Sequence, residues 1–309
     1  AYSLSGAMSF LDAASPAAPT SIEYGHNTPI QALCYTEGKL FAGSYEDGTN
    51  TIKGVTRAWD LATGRAASLG VEGAPANRVS DLAASADGLV VAAQDNTVTF
   101  CSGGKYAQKV TLEGCPKGMS AAGSTVAVVT GPKDELVLIK STALQPVVKL
   151  SFSPTCVSVA ANEGMIAVGA EGEPASVYIL DGAGNEVKKL DRHKMMIAAV
   201  AFAPDCALLA SGCANKEVVV WDVQAGTPLH TGMGGFHTAR ISSLAWSAAG
   251  VLASAGVDSL LLVWDFEAKK PKTSLKLCHK SGGINKHVWI DDATIATCGS
   301  DACIKTWSV

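Results

Sequence analysis

The sequence predicts an all-β protein in which a short strand meander repeats until it closes a ring. The first observation is the stretch His237 to Asp265, HTARISSLAWSAAGVLASAGVDSLLLVWD, where three apolar runs, each too short for a helix, are separated by turn signals. The second is its recurrence at His193 to Asp222 and again from His279 to the end of the chain, with His-to-Trp separations of 28, 27 and 28 at Trp221, Trp264 and Trp307. In the third, a turn residue precedes each Trp by six (Asn215, Asp258, Asp301) and a hydroxyl precedes that by four (Ser211, Ser254, Thr297). A three-strand meander cannot cover both of its faces, so neighbouring copies must stack on each other.

This register resembles the WD40 repeat. The resemblance implies a seven-bladed WD40 β-propeller, each blade taking about 40 to 45 residues. It also implies a hydrogen-bonded network of structural residues in the regular blades: His193, Ser211 and Trp221; His237, Ser254, Asp258 and Trp264; His279, Thr297, Asp301 and Trp307.

Taken in order, residues 1–18 hold two strand-like runs, Tyr2 to Leu4 and Met8 to Leu11, and read as the remnant of a preceding blade or propeller. The propeller is expected over 19–309. Thr20 to Tyr24 is a strand without a blade of its own, and Gly25-His26 opens the first full unit. That unit contains IQALCYTE, KLFAGS and VTRAWD, with its extra residues in YEDGTNTIKG, read as a lengthened loop. Unit two runs through LVVAAQDNTVTFCSGG, with Asp95 in the turn and Phe100 or Cys101 near the Trp position. TVAVVTGPKDELVLI and MIAVGAEGEPASVYILD carry units three and four without His or Trp. First strands start near residues 30, 79, 119, 157, 197, 241 and 284, which makes seven units. The last stops at Val309 after its third strand, so Thr20 to Tyr24 is expected to supply the fourth and close the ring, removing an open edge.

Composition narrows the function. The 309 residues carry a formal net charge of -4, with 17% charged residues, and each half of the chain is slightly acidic. No nucleic-acid-binding surface is indicated. No apolar run approaches the roughly 18 residues of a membrane span, and the start, AYSLSGAMSFLD, has no signal-peptide pattern, so no membrane role is expected. Nine cysteines, without a Cys-x-x-Cys pair, read as small buried hydrophobes in a reducing, cytoplasmic setting.

His237, Ser254 and Asp258 are the residue types of nucleophilic hydrolysis, but a catalytic triad needs one copy beside a cleft and an oxyanion hole. Here the trio repeats at blade period as His279, Thr297 and Asp301, and it reads as blade structure. The Gly-rich pieces MGGFH and SGGIN lead into no helix signal, and Glu46-Asp47 and Asp291-Asp292 lack calcium-loop spacing. No catalytic, cofactor-binding or metal-binding residue is therefore expected. Lys188, Lys189, Arg192 and Lys194, and Lys269, Lys270, Lys272 and Lys276, belong to outer strands and loops, as a solvated rim or a steering patch for an acidic partner.

Longer strings narrow the resemblance. SLSGAMSFLD and YGHNTPIQAL near the start, and FHTARISSLAWS, SAGVDSLLLVWDFEAKKP and INKHVWIDDATIATCGSDACIKTWSV towards the end, resemble the carboxy-terminal half of the actin-interacting protein 1 family. That family's two tandem propellers imply a second propeller before residue 1. They also imply actin filaments and ADF/cofilin as partners, a role in cofilin-dependent filament disassembly, and a place in the actin cytoskeleton of the cytoplasm. The alternative is a general scaffold subunit of a ciliary, ubiquitin-ligase or trafficking complex. Candidate partner-binding residues lie where loops meet the first strands: Met195, Met196 and Arg240, with Tyr45 in the insert.

Overall fold

A computed structural model describes residues 20–21, 26–47, 51–61, 65–70, 72–231, 235–280 and 282–309. Within them the chain forms seven antiparallel sheets and no helix. Strand β1 (Thr20–Ser21) precedes the first blade, which is β2 (Ala32–Thr36), β3 (Lys39–Asp47), β4 (Ile52–Asp60) and β5 (Arg65–Ser68). Blade two is β6 (Val79–Ser85), β7 (Gly88–Ala93), β8 (Thr97–Ser102) and β9 (Lys105–Thr111). Blade three has β10 (Cys115–Ala122), β11 (Thr125–Gly131) and β12 (Glu135–Lys140), with an outer edge split into β13 (Ala143–Leu144) and β14 (Val148–Lys149). Blade four follows as β15 (Pro154–Val159), β16 (Met165–Ala170), β17 (Ala175–Asp181) and β18 (Glu186–His193). Blade five is β19 (Ile197–Phe202), β20 (Leu208–Cys213), β21 (Val218–Asp222) and β22 (Thr227–His230), and blade six is β23 (Ile241–Trp246), β24 (Leu252–Gly256), β25 (Leu261–Asp265) and β26 (Lys270–Leu275). Blade seven contributes β27 (Ile284–Asp291), β28 (Thr294–Gly299) and β29 (Ile304–Ser308).

The burial pattern explains why the middle strands read as continuous apolar runs. Both faces of a second strand are covered by neighbouring blades, and all seven residues of β11 are buried. Outer strands face water on one side, so β26 alternates between exposed and half-buried positions. The core is divided into clusters that lie between blades. Val177 and Ile179 of blade four pack with Val219 and Trp221 of blade five, and Leu33, Leu40 and Trp59 of blade one pack with Ala296, Cys298 and Ile304 of blade seven. Six of the nine cysteines are buried.

The fourth strand of the last sheet comes from the start of the chain. β1 pairs antiparallel with β29, Thr20 opposite Thr306 and Ser21 opposite Lys305. Residues 22–25 of the expected closing strand, and 1–18, lie outside the described residues. Two further differences from the sequence expectation have local causes. The blade-one insert continues the sheet: β3 and β4 pair as far out as Asp47 opposite Ile52, so the extra residues build a longer hairpin. The inner strands of blades three and four begin at Cys115 and Pro154, earlier than expected, because register shifts at Pro116/Gly118 and Pro154/Cys156 accommodate a proline that otherwise signals a turn.

Candidate functional site

Register shifts at the start of the inner strand recur in blades two to seven, between Val79/Asp81, Pro116/Gly118, Pro154/Cys156, Ile197/Ala199, Ile241/Ser243 and Ile284/Lys286. Each shift leaves one residue unpaired in the ladder. These residues, Ser80, Lys117, Thr155, Ala198, Ser242 and Asn285, line the central channel together with Gln31 of blade one. Some of them also join blades. Thr155 Oγ1 donates to Ile197 O at 2.6 Å, Ser242 Oγ donates to Ile284 O, and Asn285 Nδ2 donates to Ile30 O at 2.8 Å. Sequence reasoning missed this ring. Its signal was an apolar residue followed by a polar one at the start of a first strand, as in Ile30-Gln31, Val79-Ser80, Ile241-Ser242 and Ile284-Asn285.

The channel opens into a cavity of about 690 Å³ at the end where second and third strands turn. Tyr45 and Met196 line this opening, with Arg78, Gln94, Lys117 and Glu171 among its other walls. The Arg78 guanidinium lies 4.1 Å from the centre of the Tyr45 ring, which fixes an aromatic face beside a positive charge. Arg240 and Met196 line an adjoining recess that shares Gln31 and Thr155 with the first. Three of the four sequence candidates thus meet at one end of the channel. Met195, 37% exposed, stands beside them without lining either recess. Deeper in, Lys286 Nζ of blade seven meets Asp81 Oδ1 of blade two at 2.9 Å. Burial pulls the Lys286 pKa down, but the Asp81 carboxylate more than compensates through charge and hydrogen bond, and the ammonium is held.

The repeated polar residues form chains in the regular blades. In blade six, His237 Nδ1 faces Asp258 Oδ2 at 3.1 Å, His237 Nε2 lies 2.8 Å from Ser254 Oγ, and Trp264 Nε1 donates to Ser254 Oγ at 2.9 Å. One assignment satisfies every group: the indole donates to the hydroxyl, the hydroxyl to Nε2, and Nδ1–H to the carboxylate. Burial works against the Asp258 carboxylate, yet hydrogen bonds from His237 and from the Thr238 and Leu260 amides keep its pKa below the ordinary value. Blade seven repeats the chain with Asp301, His279, Thr297 and Trp307 at 2.7, 2.9 and 2.9 Å. Ser254 is fully buried, so a substrate carbonyl has no route to its oxygen.

Blade five keeps only part of the chain. His193 Nε2 and Trp221 Nε1 each lie 2.7 Å from Ser211 Oγ, but His193 Nδ1 has no hydrogen-bond partner and Asn215 does not reach it. His193 is also the last residue of β18, paired opposite Ala175 in blade four. The network therefore ties consecutive blades as well as strands within one blade. In blade one His26 Nδ1 contacts Ser44 Oγ, and Trp59 Nε1 has no partner.

A chain of repeated four-strand blades, closed at both ends by one sheet, is a seven-bladed β-propeller with WD40 repeats. The WD domain, G-beta repeat family matches residues 184–222 and 226–265, which end at Trp221-Asp222 and Trp264-Asp265. The solved WD40 β-propeller domain of Doa1 has the same fold, with a TM-score of 0.77 at 15% identity over 92% of this chain and 94% of that one.

Over most of its length the chain is homologous to proteins named actin-interacting protein 1. The Drosophila melanogaster protein of that name is 26% identical over 259 residues, 82% of this chain and 41% of that protein. WD repeat-containing protein 1-B of Xenopus laevis is 32% identical over 272 residues, covering 83% of this chain and 42% of that protein. The chain thus spans about two fifths of the length of the curated relatives it matches.

Proposed function

We propose that the chain is a non-catalytic, protein-binding propeller of the actin cytoskeleton that assists ADF/cofilin-dependent filament disassembly. The observation that carries this reading is the homology to actin-interacting protein 1 along most of the chain. The channel-end surface around Tyr45, Met196 and Arg240, with Met195 beside it, supplies the contact: an aromatic face, thioethers and cations on loops held by a rigid ring. Residues 19–309 act as one propeller and 1–18 belong to a preceding one, in keeping with relatives about twice as long as this chain. The polar chains centred on Ser211, Ser254 and Thr297 hold the blades and take no part in chemistry.

Co-sedimentation with actin filaments decorated by cofilin tests the proposal. The chain is expected to pellet with decorated filaments more than with bare ones, and Arg240→Glu is expected to weaken that binding about tenfold or more, as loss of a central interface charge does. If neither this chain nor a longer two-propeller form pellets with decorated filaments, the actin reading fails and a general scaffold role takes its place.

A further inference from the structure

The broken chain in blade five places three metal-ligating side chains together. His193 Nδ1, Cys213 Sγ and one Glu217 carboxylate oxygen all lie within 4.8 Å of one another. His193 and Cys213 are fully buried, and the Glu217 side chain is 20% exposed at the outer side of the group. In blades six and seven the position equivalent to Cys213 is Gly256 or Gly299. A Cβ there would stand 3.0 Å from His237 Nδ1 or 2.5 Å from His279 Nδ1. Those glycines make room for the imidazole and its aspartate partner. Blade five departs at both positions, with Cys213 for the glycine and Asn215 for the aspartate, and adds Glu217 across the turn.

The hydrogen bonds set the imidazole for coordination. Trp221 Nε1 donates to Ser211 Oγ, and Ser211 Oγ in turn reaches Val219 O at 3.5 Å. In the tautomer in which His193 Nε2–H donates to Ser211 Oγ and the hydroxyl proton turns to the carbonyl, Nδ1 carries a bare lone pair. That lone pair is buried and has no partner, since Glu217 Oε2, at 3.8 Å, is beyond hydrogen-bond length. Arg192 Nη2 lies 3.4 Å from Glu217 Oε1, which leaves Oε2 turned towards Nδ1. An outer partner on a ligand in this way is the usual support of a metal site, although its positive charge also opposes the ion.

We propose that His193, Cys213 and Glu217 bind a divalent ion of the zinc class. Nitrogen, sulfur and carboxylate donors together suit a borderline ion in tetrahedral geometry, with water in the fourth position. Ligand atoms around such an ion stand roughly 3.3 to 3.8 Å apart, as follows from metal–ligand bonds of about 2.0 to 2.3 Å. The group must contract, and the partly exposed Glu217 is the side chain free to move. Binding deprotonates the Cys213 thiol and releases that proton to solvent. The ion would join the end of β18 to the turn between β20 and β21, whose Ala214 amide already donates to Met196 O at 2.9 Å.

The test uses the whole chain, stripped with a chelator. Zinc is titrated against a chromophoric competitor, and cobalt(II) is added separately to report thiolate ligation by its charge-transfer band. The wild-type chain is expected to take up a single equivalent of zinc, to melt at a higher temperature with it, and to show the cobalt–thiolate band. Cys213→Ser should abolish the band and weaken zinc binding by more than the 10- to 100-fold typical of losing an outer-shell partner. Glu217→Gln should keep the band and weaken zinc binding. Neither substitution touches the bonds of Ser211 to His193 and Trp221, and circular dichroism checks the fold. Absence of stoichiometric zinc uptake by the wild type overturns the proposal, as does a cobalt–thiolate band that survives in Cys213→Ser. Should Cys213→Ser fail to fold, unchanged zinc affinity in Glu217→Gln overturns it by itself.

Discussion

Ser254 accepts from Trp264 and donates to His237, so a change at this one residue strands two buried groups. Ser254→Ala is expected to cost about 2 kcal/mol, and Asp258→Ala about 1 to 3 kcal/mol, because buried donors left without partners forfeit their solvation. Urea unfolding measures both; a midpoint unchanged within error for both would show that the chain bears no stability. Titration acts on other histidines. Burial, aided by Arg57, pulls the His26 pKa from 6.5 to about 3, and burial with Lys286 does the same to His287. Their folded values lie below the unfolded ones, so the unfolded chain binds more protons over the interval. The stability they confer is complete above pH 6.5 and is lost as pH falls towards 3, at roughly 1.4 kcal/mol per pH unit for each histidine over most of that range. Thermal melts at pH 7, 6 and 5 are expected to fall progressively, and a flat series would contradict it.

Among the elements, β1 has the most to answer for, since two described residues supply the fourth strand of blade seven. Deleting residues 19–25 should expose the edge of β29 and replace one cooperative transition by a broad or biphasic one; an unaltered melting curve would mean that closure rests on other contacts. Those contacts exist, because Ile30 N bonds Gly299 O at 3.2 Å and the cluster around Trp59 spans blades one and seven. The elements were largely legible in the sequence, since short apolar runs bounded by turn residues mark strands too brief to be helices. Where reading fell short, the missing term was tertiary. The residues of YEDGTNTIKG look like a loop by composition, yet pair out to Asp47 and Ile52 as a hairpin. Pro116 and Pro154 look like turns, yet sit at bulges that need no amide from them.

Across the whole molecule, the ring followed from counting repeats, but the residues that matter at its centre did not. Tyr45, Met196 and Arg240 were found by position, at the starts of first strands or in the insert, and the closed ring brings them to one opening. The unpaired bulge residues escaped notice because a bulge depends on the partner strand, which a single stretch does not display. The blade-five cluster was likewise concealed: Cys213 resembles any buried cysteine until its neighbour across the turn is known.

The ion pair between Asp81 and Lys286 joins blade two to blade seven, with blade one between them, while Asp81 Oδ2 also accepts from Met119 N of blade three at 3.1 Å. It acts as a strut across the bore. Any flattening of the circle into an oval along that direction must stretch a charged contact that burial has strengthened. Both side chains line the channel, so whatever enters it meets a paired charge, and the pair that keeps the rim round also sets the polarity of the centre.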